Sequence, residues 1–465
     1  MRHLVLLLSY SLLLTLSSQR LAAEPKNELD LSCTGCNVLF LDIDLLRADF
    51  VGIINSETAN TPNINEFFKH SIIFQDVSAS SGVTAISNTA TLTARDGHFT
   101  YHLLKNTFVD LPPQMPLKYL ELYSGIPTIA QVLRSSGYET LNVNHGWYAG
   151  KQMLLDRGFN RYWGTGEANS TSNDPGAAID KTIEFILEQA NLSTKFFLLM
   201  RSEDLRGFPY RYPVNRKRLE DRRVVYRQGD ASFVEVRYQI NEDGILREGY
   251  VSFEYARWMS DIQLKEFQSL GKSIYSQQLS YVDEKLGELF SQLKKQNILD
   301  NTIVVLYSNH GDGLYDNYVP NHGVSYQSCV SVPMLVRHPK IKASIVVSTP
   351  VALIDLVPTI YEFLSIPSPR EFDGVTLANV VRGSKYPKKF FFGTDKVSQY
   401  VRHGNLKLIV WADRTKQLFD LSLDPREEIN LAEKYPQIVA LLDGKLSEHG
   451  MIQLSKAFGR LKSYK

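Results

Sequence analysis

The sequence predicts an α/β protein. It should have a large central mixed, mostly parallel sheet flanked by helices, with a smaller C-terminal α+β subdomain. Three observations carry this. Short apolar runs rich in β-branched residues, such as Asn37–Ile43 and Ile303–Tyr307, read as strands buried on both faces. Amphipathic stretches alternate with them, as Ile179–Ala190 does before Lys195–Met200. Several of the runs stop at polar residues, and open α/β sheets carry their sites outside the carboxyl ends of their strands.

The chain has 465 residues, 43% hydrophobic and 22% charged, a globular balance with ample core. A net charge of +1 and the absence of an aromatic–basic platform argue against a nucleic-acid partner. Met1-Arg2-His3, the apolar stretch Leu4–Leu16 and Ala22-Ala23 read as a signal peptide over 1–23, so export to the periplasm or the extracellular space is expected, with no stable membrane span after its removal. A segment 24–36 follows. Its Cys33 and Cys36 read as a structural staple or as two inert thiols.

The main domain is placed at 37–384. The strand Asn37–Ile43 leads into Asp44, with Asp42 two residues back on the same face. A carboxylate at a buried strand end needs a partner or a cation. A helix starts at Thr61-Pro62, and a strand at Ser71–Gln75 leads into the small-residue loop Val77–Val83. A helix is expected from near Ala85, which puts Thr84 at its start. Its hydroxyl caps the helix, or is a nucleophile favoured by the helix N-terminus and a cation. After a helix at Ile126–Ser136 and a strand at Glu139–Val143 comes His145, at another strand end. Residues 201–261 read as a basic hairpin insertion. A long helix, Gln263–Lys295, then leads to the strand Ile303–Tyr307 and the cluster Ser308-Asn309-His310-Gly311-Asp312-Gly313, with His322 in the next loop. Asn309, His310 and Asp312 all offer atoms that a divalent cation accepts, although the tetrapeptide alone also reads as an ordinary loop. A strand at Val330–Arg337 and a helix at Thr349–Leu364 follow. Residues 385–465 are short strands and a final helix at about Pro436–Glu448, expected to carry no chemistry of their own.

Asp44, Thr84, His145, Asn309-His310 and His322 thus fall at strand ends that one sheet would gather on one edge. The sequence here resembles the sulfatase family, within the alkaline-phosphatase-like superfamily, from Asn37 to about Leu442. NVLFLDIDLLRADFVG resembles the family's first strand and metal loop, NTIVVLYSNHGDG its second, and KQLFDLSLDPREEINLA its closing signature. The resemblance implies a metal-dependent hydrolase or transferase of sulfate or phosphate esters. It implies Asp44, Asn309 and His310 as ligands of one divalent cation (calcium, magnesium or manganese), Thr84 as nucleophile, and His322 and His145 as substrate-facing bases. The substrate would be an anionic small-molecule or glycan ester.

The departures are specific. Where the family has Cys-x-Pro-Ser-Arg, converted at its first residue to formylglycine, this chain reads Thr84-Ala85-Ile86-Ser87-Asn88. Thr cannot be so converted, and Thr nucleophiles belong to the phosphoryl-transferring relatives. Leu45 and Asn309 stand where many members have acids. The alternative reading is therefore a catalytically degenerate relative that binds anionic glycans or a protein partner.

Overall fold

Asn37–Ile43 forms the central strand, β1, of an eight-stranded sheet, and all seven of its residues are buried. The computed structural model describes residues 29–57, 61–100, 125–145, 155–164, 176–190, 192, 194–205, 239–240, 246–247, 261–319, 321–369, 372–395 and 397–463. After β1 come α1 (Pro62–Phe68), β2 (Ile72–Phe74), β3 (Val77–Ser78), α2 (Thr84–Thr93) and α3 (Ile129–Ser135). Then follow β4 (Glu139–Asn144), β5 (Arg161–Gly164), α4 (Ala177–Gln189), β6 (Phe196–Ser202), β7 (Gln239–Ile240), β8 (Leu246–Arg247) and the long α5 (Asp261–Lys295). β9 (Thr302–Tyr307), β10 (Met334–Arg337), β11 (Ile345–Val347), β12 (Val351–Ala352) and α6 (Leu356–Phe363) complete the larger part. Beyond them lie β13 (Phe391–Thr394), β14 (Ser398–His403), β15 (Leu406–Trp411), β16 (Lys416–Asp420) and α7 (Pro436–Ser463).

The large sheet runs β11-β2-β10-β9-β1-β6-β4-β5. Only β10 opposes its neighbours; the other pairings are parallel. The sheet is thus mixed and mostly parallel, as the apolar runs predict. Leu39 and Leu41 of β1, Leu198 of β6 and Val304 of β9 join one core with Ile179 and Ile186 of α4 and Val282, Leu286 and Leu289 of α5. Burying each such side chain is worth roughly 1.5–3 kcal/mol, and this is what fixes the helices on the sheet. β13 to β16 form a separate antiparallel sheet with its own small core against α7, including Leu408, Leu418, Leu442 and Leu446.

Some elements differ from expectation. β6 runs two residues past Met200, because Arg201 finds carboxylate partners that let it stay buried in the strand. The segment from Thr349 begins as β12, paired with β3, makes a 3-10 turn at Leu353–Asp355 and becomes α-helix at Leu356. Asp355 caps this start by accepting the Ala352 amide, and also accepts the Val375 amide. The stretch Gln327–Val330 is a helical turn, so the strand after it starts at Met334. Ser81–Val83 remain loop and α2 starts at Thr84 itself. The final helix continues to Ser463. Cys33 and Cys36 are joined as a disulfide. Of the basic insertion, β7 pairs antiparallel with β8; its remainder beyond Leu205 up to Asp261, and the signal-peptide segment, lie outside the described residues.

Candidate active site

Because β1, β4, β6 and β9 are parallel neighbours, their carboxyl ends share one edge. Asp44 follows β1 there, its amide bonded to the Ser202 carbonyl at 2.9 Å. The next residue, Leu45, adopts a left-handed conformation (φ 68°), unfavourable for a side chain with a Cβ. Tyr275 of α5 holds it: its hydroxyl donates to Leu45 O at 2.8 Å and accepts from Arg47 N at 3.0 Å. The loop after β9 is tied in the same way. Ser308 Oγ accepts from Leu46 N and donates to His310 O, and Asn309 N donates to Asp42 Oδ1 at 3.2 Å. Gly311 is required, since a Cβ there would sit 2.2 Å from Ser328 O.

Thr84 is the first residue of α2, and its side chain is buried. Its Oγ1 lies 2.8 Å from His310 Nε2, and His310 Nδ1 lies 2.9 Å from Gly311 O. A proton on Nδ1, donated to that carbonyl, leaves the Nε2 lone pair facing the Thr84 hydroxyl. His310 Nε2 is also 3.6 Å from Asp44 Oδ1. Asn309 sits beside them, fully buried, its Oδ1 without a hydrogen-bond partner among the described residues. The structure thus gathers Asp44, Thr84, Asn309 and His310. His322 joins at the edge: its ring stacks on His310 with centroids 4.7 Å apart, and its Nδ1 lies 3.8 Å from Asp312 Oδ1. His145 stands at the end of β4 with Nδ1 3.9 Å from Asp204 Oδ1, so it belongs to the β4–β6 side of the edge.

These residues fit a divalent cation. Ligand atoms around one ion, with bonds of about 2.1–2.4 Å, stand roughly 3 Å apart, and Thr84 Oγ1 and Asp44 Oδ1 lie 2.8 and 3.6 Å from His310 Nε2. The Asn309 amide oxygen, buried and without a hydrogen-bond partner among the described residues, is a further oxygen donor in the same loop.

Two functional residues escaped the sequence. The first is Arg201. Register places it beside Asp42, and its Nη2 lies 3.0 Å from Asp44 Oδ2 and 3.3 Å from Glu203 Oε1, with Nε 3.5 Å from Asp42 Oδ2. Burial pushes the Asp42 carboxyl up to about 7, opposed by Arg201 and reinforced by Asp44. The signal was an Arg continuing an apolar run, alongside two acids spaced to share a strand face. The second is Asp395, which follows β13 in the part expected to carry no chemistry. Its carboxylate accepts from Ser81 Oγ (2.6 Å), Gly82 N (2.7 Å) and Ser325 Oγ (2.7 Å), and so ties the loop before Thr84 to the loop after His322. Nothing local in the sequence marks it.

The family model described as Sulfatase matches residues 36–366. The chain belongs to the sulfatase family. A second model, described as N-sulphoglucosamine sulphohydrolase, C-terminal, matches residues 314–451. Among curated proteins, the sulfatase chain is 33% identical to arylsulfatase K of Mus musculus over 192 residues, 38% of this chain and 35% of that protein. It is 31% identical to choline-sulfatase of Rhizobium meliloti (strain 1021) over 167 residues, 34% of this chain and 32% of that one. The match thus spans about a third of the length of these curated relatives. Two solved structures share the fold. One is BT4656 in complex with its substrate D-glucosamine-2-N,6-O-disulfate, with a TM-score of 0.63 at 18% identity, covering 91% of this chain and 98% of that one. The other is the phosphonate monoester hydrolase of Agrobacterium radiobacter, with a TM-score of 0.63 at 16% identity, covering 91% and 96%.

Proposed function

We propose that this chain hydrolyses or transfers sulfate or phosphate monoesters, with Thr84 as nucleophile. The observation that carries it is the 2.8 Å contact between Thr84 Oγ1 and His310 Nε2 at the N-terminus of α2. A hydroxyl is a weak nucleophile until its proton is removed or its anion is stabilised. Three features of the chain favour the anion. The His310 lone pair faces the hydroxyl, the first turn of α2 presents its amides, and the Arg201 guanidinium lies on the far side of Asp44. Asp44, Asn309 and His310 would hold one divalent cation (calcium, magnesium or manganese) with the Nε2 lone pair of His310 as a ligand; the cation would then favour the anion in place of the imidazole, which can accept the proton only when the metal is absent. His322, partly exposed and 3.8 Å from Asp312, would protonate the leaving oxygen. We assign the substrate to anionic ester-bearing glycans or small molecules; the substrate held by one structural relative, D-glucosamine-2-N,6-O-disulfate, supports that class. The proposal includes export directed by residues 1–23, and among the described residues no helix is long and apolar enough to cross a membrane.

The test compares wild type with Thr84→Ala on aryl sulfate, phosphate and phosphonate esters, with added manganese, magnesium or calcium. Turnover should fall at least ~100-fold while the circular dichroism spectrum and melting temperature hold. Turnover retained in the variant overturns Thr84 as nucleophile.

One observation favours the second reading, a degenerate site that binds an anion without turning it over. The Arg201 charge already neutralises part of Asp44, in a ligand set with one carboxylate. Calorimetric titration with manganese, of wild type and of Asp44→Ala, separates the two: stoichiometric binding that Asp44→Ala loses supports the enzyme, and none supports the binder.

A further inference from the structure

We propose that Asp96, His98 and His449 form a second metal site, of zinc type, remote in sequence from Asp44, Asn309 and His310. Asp96 lies in the connection after α2, His98 in the helical turn 97–100 that follows it, and His449 comes from α7. The chain reverses at Ala94 (φ 51°), and Asp96 Oδ1 accepts the His98 amide at 2.8 Å. That bond folds the His98 ring back toward the carboxylate, with Nδ1 3.5 Å from Asp96 Oδ1. His449 Nε2 approaches the other oxygen, Oδ2, at 3.0 Å. The two rings meet edge to face at 5.2 Å, and one potential ligand atom from each residue lies within 4.8 Å of the others.

Two observations point to an ion here rather than to a plain acid–imidazole pair. His98 is 1% exposed, yet neither ring nitrogen has a hydrogen-bond partner among the described residues. Leaving one buried polar group unsatisfied costs roughly 1–3 kcal/mol, and beyond the loose 3.5 Å approach of Nδ1 to Asp96 the ring has no partner among the described residues, so Nε2 in particular calls for an occupant. The geometry is also held in place from outside. His449 stacks on Phe392 (3.8 Å, 3°), Asp373 accepts the Asp96 amide at 3.0 Å, and a Cβ at residue 97 would meet Ser80 O at 2.7 Å. Tetrahedral ligands on ~2.0–2.1 Å bonds stand about 3.3 Å apart; the imidazoles approach the two Asp96 oxygens at 3.5 and 3.0 Å, and the set of three ligand atoms, within 4.8 Å of one another, closes on one ion by side-chain rotation. One carboxylate and two imidazoles suit zinc and its d-block neighbours, whereas calcium and magnesium take oxygen donors. Asp96 and His449 also line a cavity of about 320 Å³ with Ser80, Lys388, Phe391 and Tyr400. A fourth position facing that cavity would be filled by water or by an incoming anion. The site would clasp α7 to the end of α2 opposite Thr84.

The test uses the full chain, stripped with a chelator and titrated with zinc and then with cobalt. In Asp44→Ala, which disables the other site, one zinc should still bind, and cobalt should give the intense visible bands of a tetrahedral centre. His98→Ala and His449→Ala should weaken zinc at least ~100-fold in that background, and His449→Cys should add a thiolate-to-cobalt charge-transfer band in the near ultraviolet. His449 is partly exposed on a surface helix, so its variants serve if His98→Ala does not fold. No zinc uptake by Asp44→Ala at about 100 μM metal, or affinity within about threefold when His449 is replaced by Ala, overturns the site.

Discussion

Arg201 sets the charge balance around Asp44. Its guanidinium touches Asp44, Asp42 and Glu203, so three acids share one permanent cation in a site where Asp42 and Asp44 are almost fully buried. Like charges about 4 Å apart at an effective dielectric near 20 repel by roughly 4 kcal/mol, and a dication doubles this. Arg201→Met should therefore tighten manganese binding about tenfold or more while lowering turnover, because the same positive charge favours the Thr84 anion. Calorimetry reads the first and ester hydrolysis the second; unchanged or weaker manganese binding would show that Arg201 does not oppose the ion. Asp42 makes a pH prediction. Its folded value, about 7, lies above the ordinary carboxylate value near 3.8. A raised acid binds its proton more tightly when folded, so its contribution to stability is full below about pH 4 and is lost as pH rises through 7. Asp42→Asn removes that titration and should keep the amide bond from Asn309. Its melting temperature should fall less than that of wild type between pH 5 and pH 8, and parallel curves for the two proteins would contradict the assignment.

At the scale of elements, the loop after β1 depends on α5 rather than on its own sequence. Leu45 holds a left-handed backbone, and the Tyr275 hydroxyl is what bonds the turn on both sides of it. Tyr275→Phe keeps the ring packed on Phe50 but leaves a buried carbonyl and amide unpaired. It should destabilise the protein by roughly 1–3 kcal/mol in urea unfolding and lower turnover by displacing Asp44; a loss of turnover with no loss of stability would contradict this. The strands themselves were legible. β1 and β9 are covered on both faces by helices, so selection leaves them as continuous apolar runs, and their polar ends point straight to Asp44, Asn309 and His310. β6 extends two residues past the apolar run, because an Arg in a buried strand looks forbidden until its acids on β1 are known. β5, with Arg161 at its start, and β11, with Val346 half exposed, lie toward the sheet's edges and lack the full apolar signature.

Across the whole molecule, the C-terminal part is a working component of the site. Asp395 stands more than seventy residues beyond His322 and more than three hundred beyond Ser81, yet its one carboxylate fastens both loops. No periodicity or local motif records such a link, since it exists only after the two sheets dock. Tyr400 adds to it, its hydroxyl donating to Ala79 O at 2.7 Å, in the same loop that delivers Thr84. Burial raises the Asp395 carboxyl, opposed by the hydrogen bonds from Ser81, Ser325, Gly82 and Ser398. Asp395→Ala deletes the acceptor shared by both loops, and should therefore free Thr84 and His322 from each other without touching either. We expect turnover to drop about 10–100-fold, because a misplacement of about 1 Å at the reacting atoms suffices for that. Asp395→Asn keeps one acceptor oxygen for the Gly82 amide and the Ser81 hydroxyl, and should recover part of the loss. If Asp395→Ala turns over at the wild-type rate, the C-terminal sheet is only a neighbour of the site; if Asn is no better than Ala, it is the charge rather than the fastening that matters.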